Sequence, residues 1–253
     1  ADNKPVVVDA ESPSQLAVLG KAVRSLQGKK RFLFRTAASF INGLANLPTK
    51  ACQPKKLSAL RLRNQSGAYK PGLVMVGSYV PLADQQLKML LNQESCIGLE
   101  IPIEEIACAL EGRSTEFDLL DLENKWLDKL QNILSLNKTP VIYSSRGEFD
   151  CKSPKLMINF GNKIADLMAN LVAQVAPTLG YVISKGGITT NTFLEKGLNL
   201  DSVELKGQLL PGLSLVCADN YLFAKGLPIV TFPGNLGDKE SLLLSWKIME
   251  GLN

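Results

Sequence analysis

Short apolar runs alternate along this chain with longer stretches in which apolar residues recur every three or four positions. The short runs, at residues 6–8, 31–34, 73–76, 97–101, 141–143, 181–184 and 229–232, read as strands. The periodic stretches predict helices over 16–23, 36–44, 84–91, 103–110, 117–134, 156–175, 190–196 and 239–249. The first helix has a start signal: Ser12 as cap, Pro13 at the first helical position and Gln15 three residues after the cap. Residues 203–205 and 214–217 read as a β pair turning across Gly207 and Pro211-Gly212. Regular strand–helix alternation predicts an α/β fold of three layers, α/β/α, around a mainly parallel sheet.

The alternation breaks once. From residue 49 to 69 the chain dissolves into Lys, Pro, Gln, Asn and Ser, which predicts a linker at 51–69 between a first segment, 1–50, and a second domain, 70–253. Val6, Val7 and Val8 form a run that is apolar on both faces, as in strands flanked by neighbours inside a parallel sheet. Two strands and two helices cannot supply those neighbours. Residues 1–50 are therefore expected to be the C-terminal part of an α/β lobe whose beginning lies outside this chain.

Composition narrows the chemistry. In 253 residues, 45% hydrophobic and 21% charged, there is ample material for a core, which excludes disorder and a disulfide-stapled miniprotein. There is no His, so Ser-His-Asp and Cys-His catalysis and His-ligated metal are excluded. Proton transfer is left to carboxylates, Lys, Tyr or Cys, or to a group outside the chain. The five Cys (52, 96, 108, 151 and 217) are odd in number and form no C-x-x-C, which predicts reduced, mostly buried thiols in a cytoplasmic protein and no metal site. The net charge of +4 is mild. Its clusters, Lys29-Lys30-Arg31 and Lys55-Lys56 with Arg61 and Arg63, lack interleaved aromatics and read as solvated surface, with no nucleic-acid partner. No uncharged run approaches a membrane span, and the start lacks a signal-peptide pattern, so no membrane is expected.

Three loops rich in small residues follow strands: Val76-Gly77-Ser78-Tyr79, then Ser184 to Thr192 around Gly186-Gly187, then Phe232-Pro233-Gly234-Asn235-Leu236-Gly237-Asp238. In open parallel sheets ligands bind at this carboxyl edge, where glycines let backbone amides approach and helix starts favour anions. A nucleotide or phosphate site is one reading of the three together, and ordinary turn geometry is the other. Neither the P-loop nor the G-x-G-x-x-G pattern is present. Lys185 reads either as neutralising phosphate or as snorkelling from a strand end, and Tyr79 either as packing or as an adenine platform. Ser144-Ser145-Arg146-Gly147 could face the same edge. Glu104-Glu105 and Asp118, Asp121 and Glu123 read as solvated helix faces or caps.

Gly72 to Pro81 followed by Gln85-Gln86-Leu87, Lys185-Gly186-Gly187-Ile188-Thr189-Thr190, Gly207 to Gly212, Phe232 to Asp238 and, between them, Tyr143 to Gly147 resemble in order and spacing the C-terminal nucleotide-binding domain of the four-carbon acid sugar kinase family. Residues 6–11 and 32–40 resemble the end of that family's N-terminal, substrate-binding domain, whose opening Asp-Asp-x-Thr-Gly motif this chain lacks. The resemblance implies ATP-dependent phosphorylation of four-carbon sugar acids such as threonate, erythronate or their oxo derivatives. ATP contacts would fall on Ser78, on Gly186, Gly187, Ile188 and Thr189, and on Gly234 with Asn235, with Mg²⁺ arriving on the nucleotide. Thr190 stands where relatives often carry Ser. The catalytic base would lie on the N-terminal lobe, leaving this chain inactive alone, and a homo-oligomer is left open. The rival expectation is a non-catalytic α/β nucleotide- or ligand-binding regulatory module.

Overall fold

The computed structural model describes residues 4–47, 52–110, 119–145, 154–218 and 225–252. The chain divides into two compact units, Ala1–Ala51 and Cys52–Asn253.

In the first unit two helices form a hairpin, α1 (Pro13–Ser25) and α2 (Ala38–Ala45). The Ser12 hydroxyl accepts from the Gln15 amide, and Gln15 Oε1 accepts from the Glu11 amide, so the predicted start signal operates at both ends. The helices cross backbone to backbone: a Cβ on Gly20 would lie 2.3 Å from the Gly43 carbonyl oxygen. Arg24 bridges the crossing by donating to the carbonyls of Gly43 and Leu44. The two strands expected here do not form. Residues 6–8 and 31–34 run without a ladder, with Val7 88% and Leu33 fully exposed. A strand apolar on both faces exists only when neighbours pair its edges, and no described strand of this unit does so.

The second unit is built on seven strands, β1 (Gly72–Val76), β2 (Cys96–Ile101), β3 (Thr139–Ser144), β4 (Tyr181–Lys185), β5 (Glu204–Leu210), β6 (Leu213–Ala218) and β7 (Leu227–Phe232), in the order β2-β3-β1-β4-β7-β6-β5. The first five positions of that order are mutually parallel, and β6 and β5 close the sheet antiparallel. Strand residues alternate between two cores, as the pleat requires. Leu73, Met75 and Val182 face the layer formed with α6 (Leu119–Ser135) and α7 (Pro154–Val175), where Trp126, Leu130 and Met168 are buried. Val74, Val76 and Ile183 face α4 (Pro81–Leu91) and α9 (Ser241–Glu250), where Leu87, Leu90 and Trp246 are buried. The fold is the expected α/β/α.

Residues 52–69, expected to be a linker, belong to this unit. They form α3 (Pro54–Ser58), whose Leu57 is buried in the core, and an antiparallel bridge between Arg63 and Tyr69. Polar composition concealed one well-placed Leu. Just after α3, Arg61 donates to Glu250 at 2.7 Å and to the Lys70 carbonyl, and the Tyr181 hydroxyl donates to the other oxygen of Glu250 at 2.7 Å. This cluster binds the amino ends of β1 and β4 to the end of α9. The cavity of about 180 Å³ beside it holds Arg61 and Glu250 already satisfied by each other. Cys96 and Cys217 are buried and Cys52 is half-buried, and burial pushes the Cys96 thiol up to about 12. The side chains of Cys108 and Cys151 lie outside the described residues. Among the described residues no helix is long and apolar enough to cross a membrane.

Removing one partner of a largely buried ion pair strands the other. Arg61→Met should therefore lower the unfolding free energy by about 3 kcal/mol, read by urea denaturation. A loss near zero would show that Glu250 is hydrated in the native state.

Candidate functional site

The sheet order places the carboxyl ends of β1, β4 and β7 side by side at its centre. From β1 the chain leaves through α4 toward β2 on one side. From β4 it leaves through α8 (Gly187–Thr192) toward β5 on the other. The two helices lie on opposite faces, so a crevice opens between β1 and β4, the position where open α/β sheets take ligands.

All three glycine-containing loops meet there. The ladder runs one step past each strand: the Gly77 amide donates to the Lys185 carbonyl and the Gly186 amide to the Phe232 carbonyl, both at 2.9 Å. Side chains are excluded at the joints. A Cβ on Gly77 would lie 1.8 Å from Thr189 Oγ1, and one on Gly234 would lie 2.6 Å from Ser78 Oγ. Gly186, at φ +124°, adopts backbone that L-residues rarely take, and its Cβ would sit 3.3 Å from the Ser78 amide. Ser78 is thus wedged between Gly186 and Gly234, and Thr189 against Gly77. Of the residues expected to hold ATP, the structure groups Ser78, Gly186, Thr189 and Gly234 at one point. Gly187 and Ile188 lie in the first turn of α8, and Asn235 is exposed beside Gly234.

The α8 start is held rigidly and lacks a side-chain cap. Thr190 Oγ1 lies 2.8 Å from Ser184 Oγ and donates to the Ser184 carbonyl, tying the helix to its own strand. The Thr190 hydroxyl therefore faces inward, toward its own strand. The amides of Gly187, Ile188 and Thr189 are the ones a helix start leaves without an intrahelical partner. The helix continues into a π-helical turn, Phe193–Gly197, with Phe193 fully buried. Tyr79 is 70% exposed and Ile188 67% exposed, which removes packing as an account of Tyr79.

Lys185 departs from the snorkelling reading. Its side chain does not snorkel, being fully buried. Nζ donates to the carbonyls of Pro233 and Gly234, each at 3.1 Å, and lies 4.0 Å from the Phe232 ring centroid. Burial lowers its pKa from 10.5 to about 8. Gln86, on α4, went unrecognised as a site residue. It is fully buried, and its Nε2 donates to the carbonyls of Leu236 at 3.1 Å and Asp238 at 2.6 Å. The available signal was a Gln adjoining Leu87 on the buried side of an otherwise apolar helix face. Beyond it, the exposed Asp238 accepts from Ser241 Oγ and the Glu240 amide, which hold its carboxyl below the usual range.

The other candidates do other work. Ser145 Oγ accepts from the Ile103 amide at the start of α5 (Ile103–Leu110), while Arg146, Gly147 and Asp118 lie outside the described residues. Glu104 and Glu105 are exposed in the first turn of α5, and Asp121 is exposed in that of α6. Among the described residues no group of three or more His, Cys, Asp or Glu is placed to hold a metal.

Two outcomes follow from this geometry. Gly77→Ala should destabilise the unit by about 2 kcal/mol, the scale of overpacking a filled site. Adding Thr189→Ala, which removes the 1.8 Å conflict, should recover most of that loss in thermal melts. The second outcome concerns pH. Folded Lys185 releases its proton near pH 8 and the unfolded residue near 10.5, so unfolding takes up a proton between them. Wild type should gain stability relative to Lys185→Met across that window and run parallel to it below pH 8. Denaturation curves that stay parallel to pH 10.5 would place Lys185 in water.

Comparison with known proteins agrees with the geometry. Three solved structures share the fold at low identity. Two are crystal forms of a domain of unknown function (DUF1537) from Bordetella bronchiseptica, each a domain-swapped dimer with bound citrate. The first has TM-score 0.56 and 18% identity, covering 96% of this chain and 52% of that one. The second has TM-score 0.54 and 17% identity. The third is a putative tRNA synthase from Salmonella typhimurium LT2, with TM-score 0.56, 17% identity, and coverage of 95% and 52%. The chain thus spans about half the length of these proteins. No curated protein matches it. The family model of the nucleotide-binding C-terminal domain matches residues 73–242, which takes in β1, α8, the 233–238 loop and Gln86. The chain belongs to the nucleotide-binding C-terminal domain family.

Proposed function

We propose that this chain is the nucleotide-holding half of an ATP-dependent kinase for four-carbon sugar acids of the threonate or erythronate kind. One observation carries the reading: three loops from β1, β4 and β7 meet through glycines at the crevice between β1 and β4. The family match makes a nucleotide the natural occupant. Ser78, the amides of Gly186, Gly187, Ile188 and Thr189, and Gly234 with Asn235 would surround the phosphates, and exposed Tyr79 offers a face for the base. Phosphoryl transfer needs positioning and charge stabilisation more than covalent chemistry, and amide-lined loops supply both. Mg²⁺ would arrive with the nucleotide. The sugar-acid site and the base that deprotonates its hydroxyl would lie on a further lobe, in keeping with relatives about twice as long. Such a lobe would also supply strands to flank residues 6–8 and 31–34.

Gly187 offers a clean test. No described atom lies within 4 Å of a Cβ placed there and its φ is ordinary, so Gly187→Asp should fold. A carboxylate in the first turn of α8 favours the helix and repels a phosphate at the same place. Calorimetric titration with ADP·Mg²⁺ should give saturable heat for wild type and none for Gly187→Asp at an unchanged melting temperature. The chain alone should transfer little or no phosphate from ATP to threonate or erythronate. Absence of heat from wild type would overturn the nucleotide reading, and full kinase turnover by this chain would overturn the need for a second lobe.

A further inference from the structure

We propose that residues 233–238 form an anion-binding strap pinned from beneath, with Lys185 and Gln86 as the positioning residues that turn its amides toward a nucleotide phosphate. This deepens the nucleotide reading and rests on it. Four carbonyls of one loop are held by two buried side chains from different elements. Lys185, from the end of β4, takes Pro233 and Gly234, and Gln86, from α4, takes Leu236 and Asp238. In a trans peptide the N–H points opposite to the C=O that precedes it. Drawing the carbonyls of Pro233, Gly234 and Leu236 inward therefore turns the amides of Gly234, Asn235 and Gly237 outward. No described residue accepts from the amides of Gly234 or Asn235. Gly234 abuts Ser78, so its amide opens beside the joint where the other two loops converge. Consecutive amides free in a loop of this kind form an anion-binding concavity.

Two anomalies find a reason in this arrangement. The buried ammonium of Lys185 pairs with no carboxylate among the described residues, only with carbonyl oxygens and a ring. Burying an unbalanced charge is costly, and a phosphate on the far side of the strap supplies the missing counter-charge. Gln86 leaves its own Oε1 buried without a hydrogen-bond partner. That also carries a desolvation cost, consistent with an amide oriented to serve the loop rather than itself.

The test uses the full chain, with ADP·Mg²⁺ and adenosine as probes and backbone-amide NMR as a second readout. ADP should move the Gly234 and Asn235 amide resonances of wild type strongly, and adenosine should not. Lys185→Met and Gln86→Met, which keep side-chain bulk, should each weaken ADP by about tenfold or more while leaving adenosine affinity unchanged. Equal losses for ADP and adenosine would reduce both residues to structural supports, and unchanged ADP affinity would overturn the proposal. If a variant fails to fold, the wild-type amides still decide: Gly234 and Asn235 unmoved by bound ADP sink the strap. Wild type that binds neither ADP nor adenosine sinks the nucleotide reading itself, whereas ADP binding with silent strap amides sinks only the strap.

Discussion

Thr189 Oγ1 occupies the place where a side chain on residue 77 would begin, and Ser78 Oγ crowds the place where one on residue 234 would begin. That mutual exclusion fixes the carboxyl edge. Parallel strands at ordinary sheet spacing leave their following loops apart, because each loop normally carries side chains that hold its neighbour off. Here the side chains are missing at three joints, so the loops close on one another. The ladder then extends through the Gly77 and Gly186 amides, and the start of α8 becomes part of the sheet's rim. Much else at this edge depends on that approach: the wedge of Ser78, the inward Thr190 clamp, and the burial of Lys185 beneath Gly234.

The opposite edge of the same strands is organised by a different force. Arg61, Glu250 and Tyr181 bond to one another at the amino ends, with the guanidinium 5.4 Å from the Tyr181 ring centroid. Both carboxylate oxygens, the phenol and two guanidinium nitrogens of that cluster meet protein partners, so it serves stability. At the carboxyl edge the strong donors are backbone amides, and several have no partner among the described residues. A satisfied end and an unsatisfied end on the same central strands separate folding from binding. A cavity of about 180 Å³ beside Arg61 and Glu250 lies at this satisfied end.

Local pattern made most of the second unit legible. Residues 73–76 and 181–184 are apolar on both faces because helices cover both faces, so sequence and burial agree residue by residue. The same reasoning failed at residues 6–8 and 31–34, whose pattern is equally strand-like. A strand is completed by its neighbours, and periodicity reports only what a segment is suited to, not whether partners are present. The supposed linker failed for the converse reason: its composition is polar, yet a single Leu57 anchors it in the core. Glycine-containing loops after strands were visible as candidates, since only glycine permits such joints. The pinning of the third loop was not. Lys185 and Gln86 are charged or polar residues acting from inside, and sequence alone places such residues on the surface by default.

The chemistry of this edge is one-sided, and Asp238 shows why. It is a carboxylate on the strap itself, so it is the first residue to consider as a base for an acceptor hydroxyl. Its Oδ1 is committed to the start of α9, accepting from Ser241 and the Glu240 amide, and both contacts stabilise the ionised form. A base requires the reverse, an environment that raises its proton affinity toward neutrality. Lys185 moves toward neutrality from the other side, yet its Nζ lies buried beneath the loop and bound to two carbonyls, out of reach of a substrate. On the nucleotide reading, and with no His in the chain, this edge is suited to hold phosphate charge, while neither Asp238 nor Lys185 is placed to remove a proton. On the kinase reading the two tasks fall to different lobes. Transfer would then begin only when a lobe bearing the acceptor closes over the strap and brings its base to the phosphate held there.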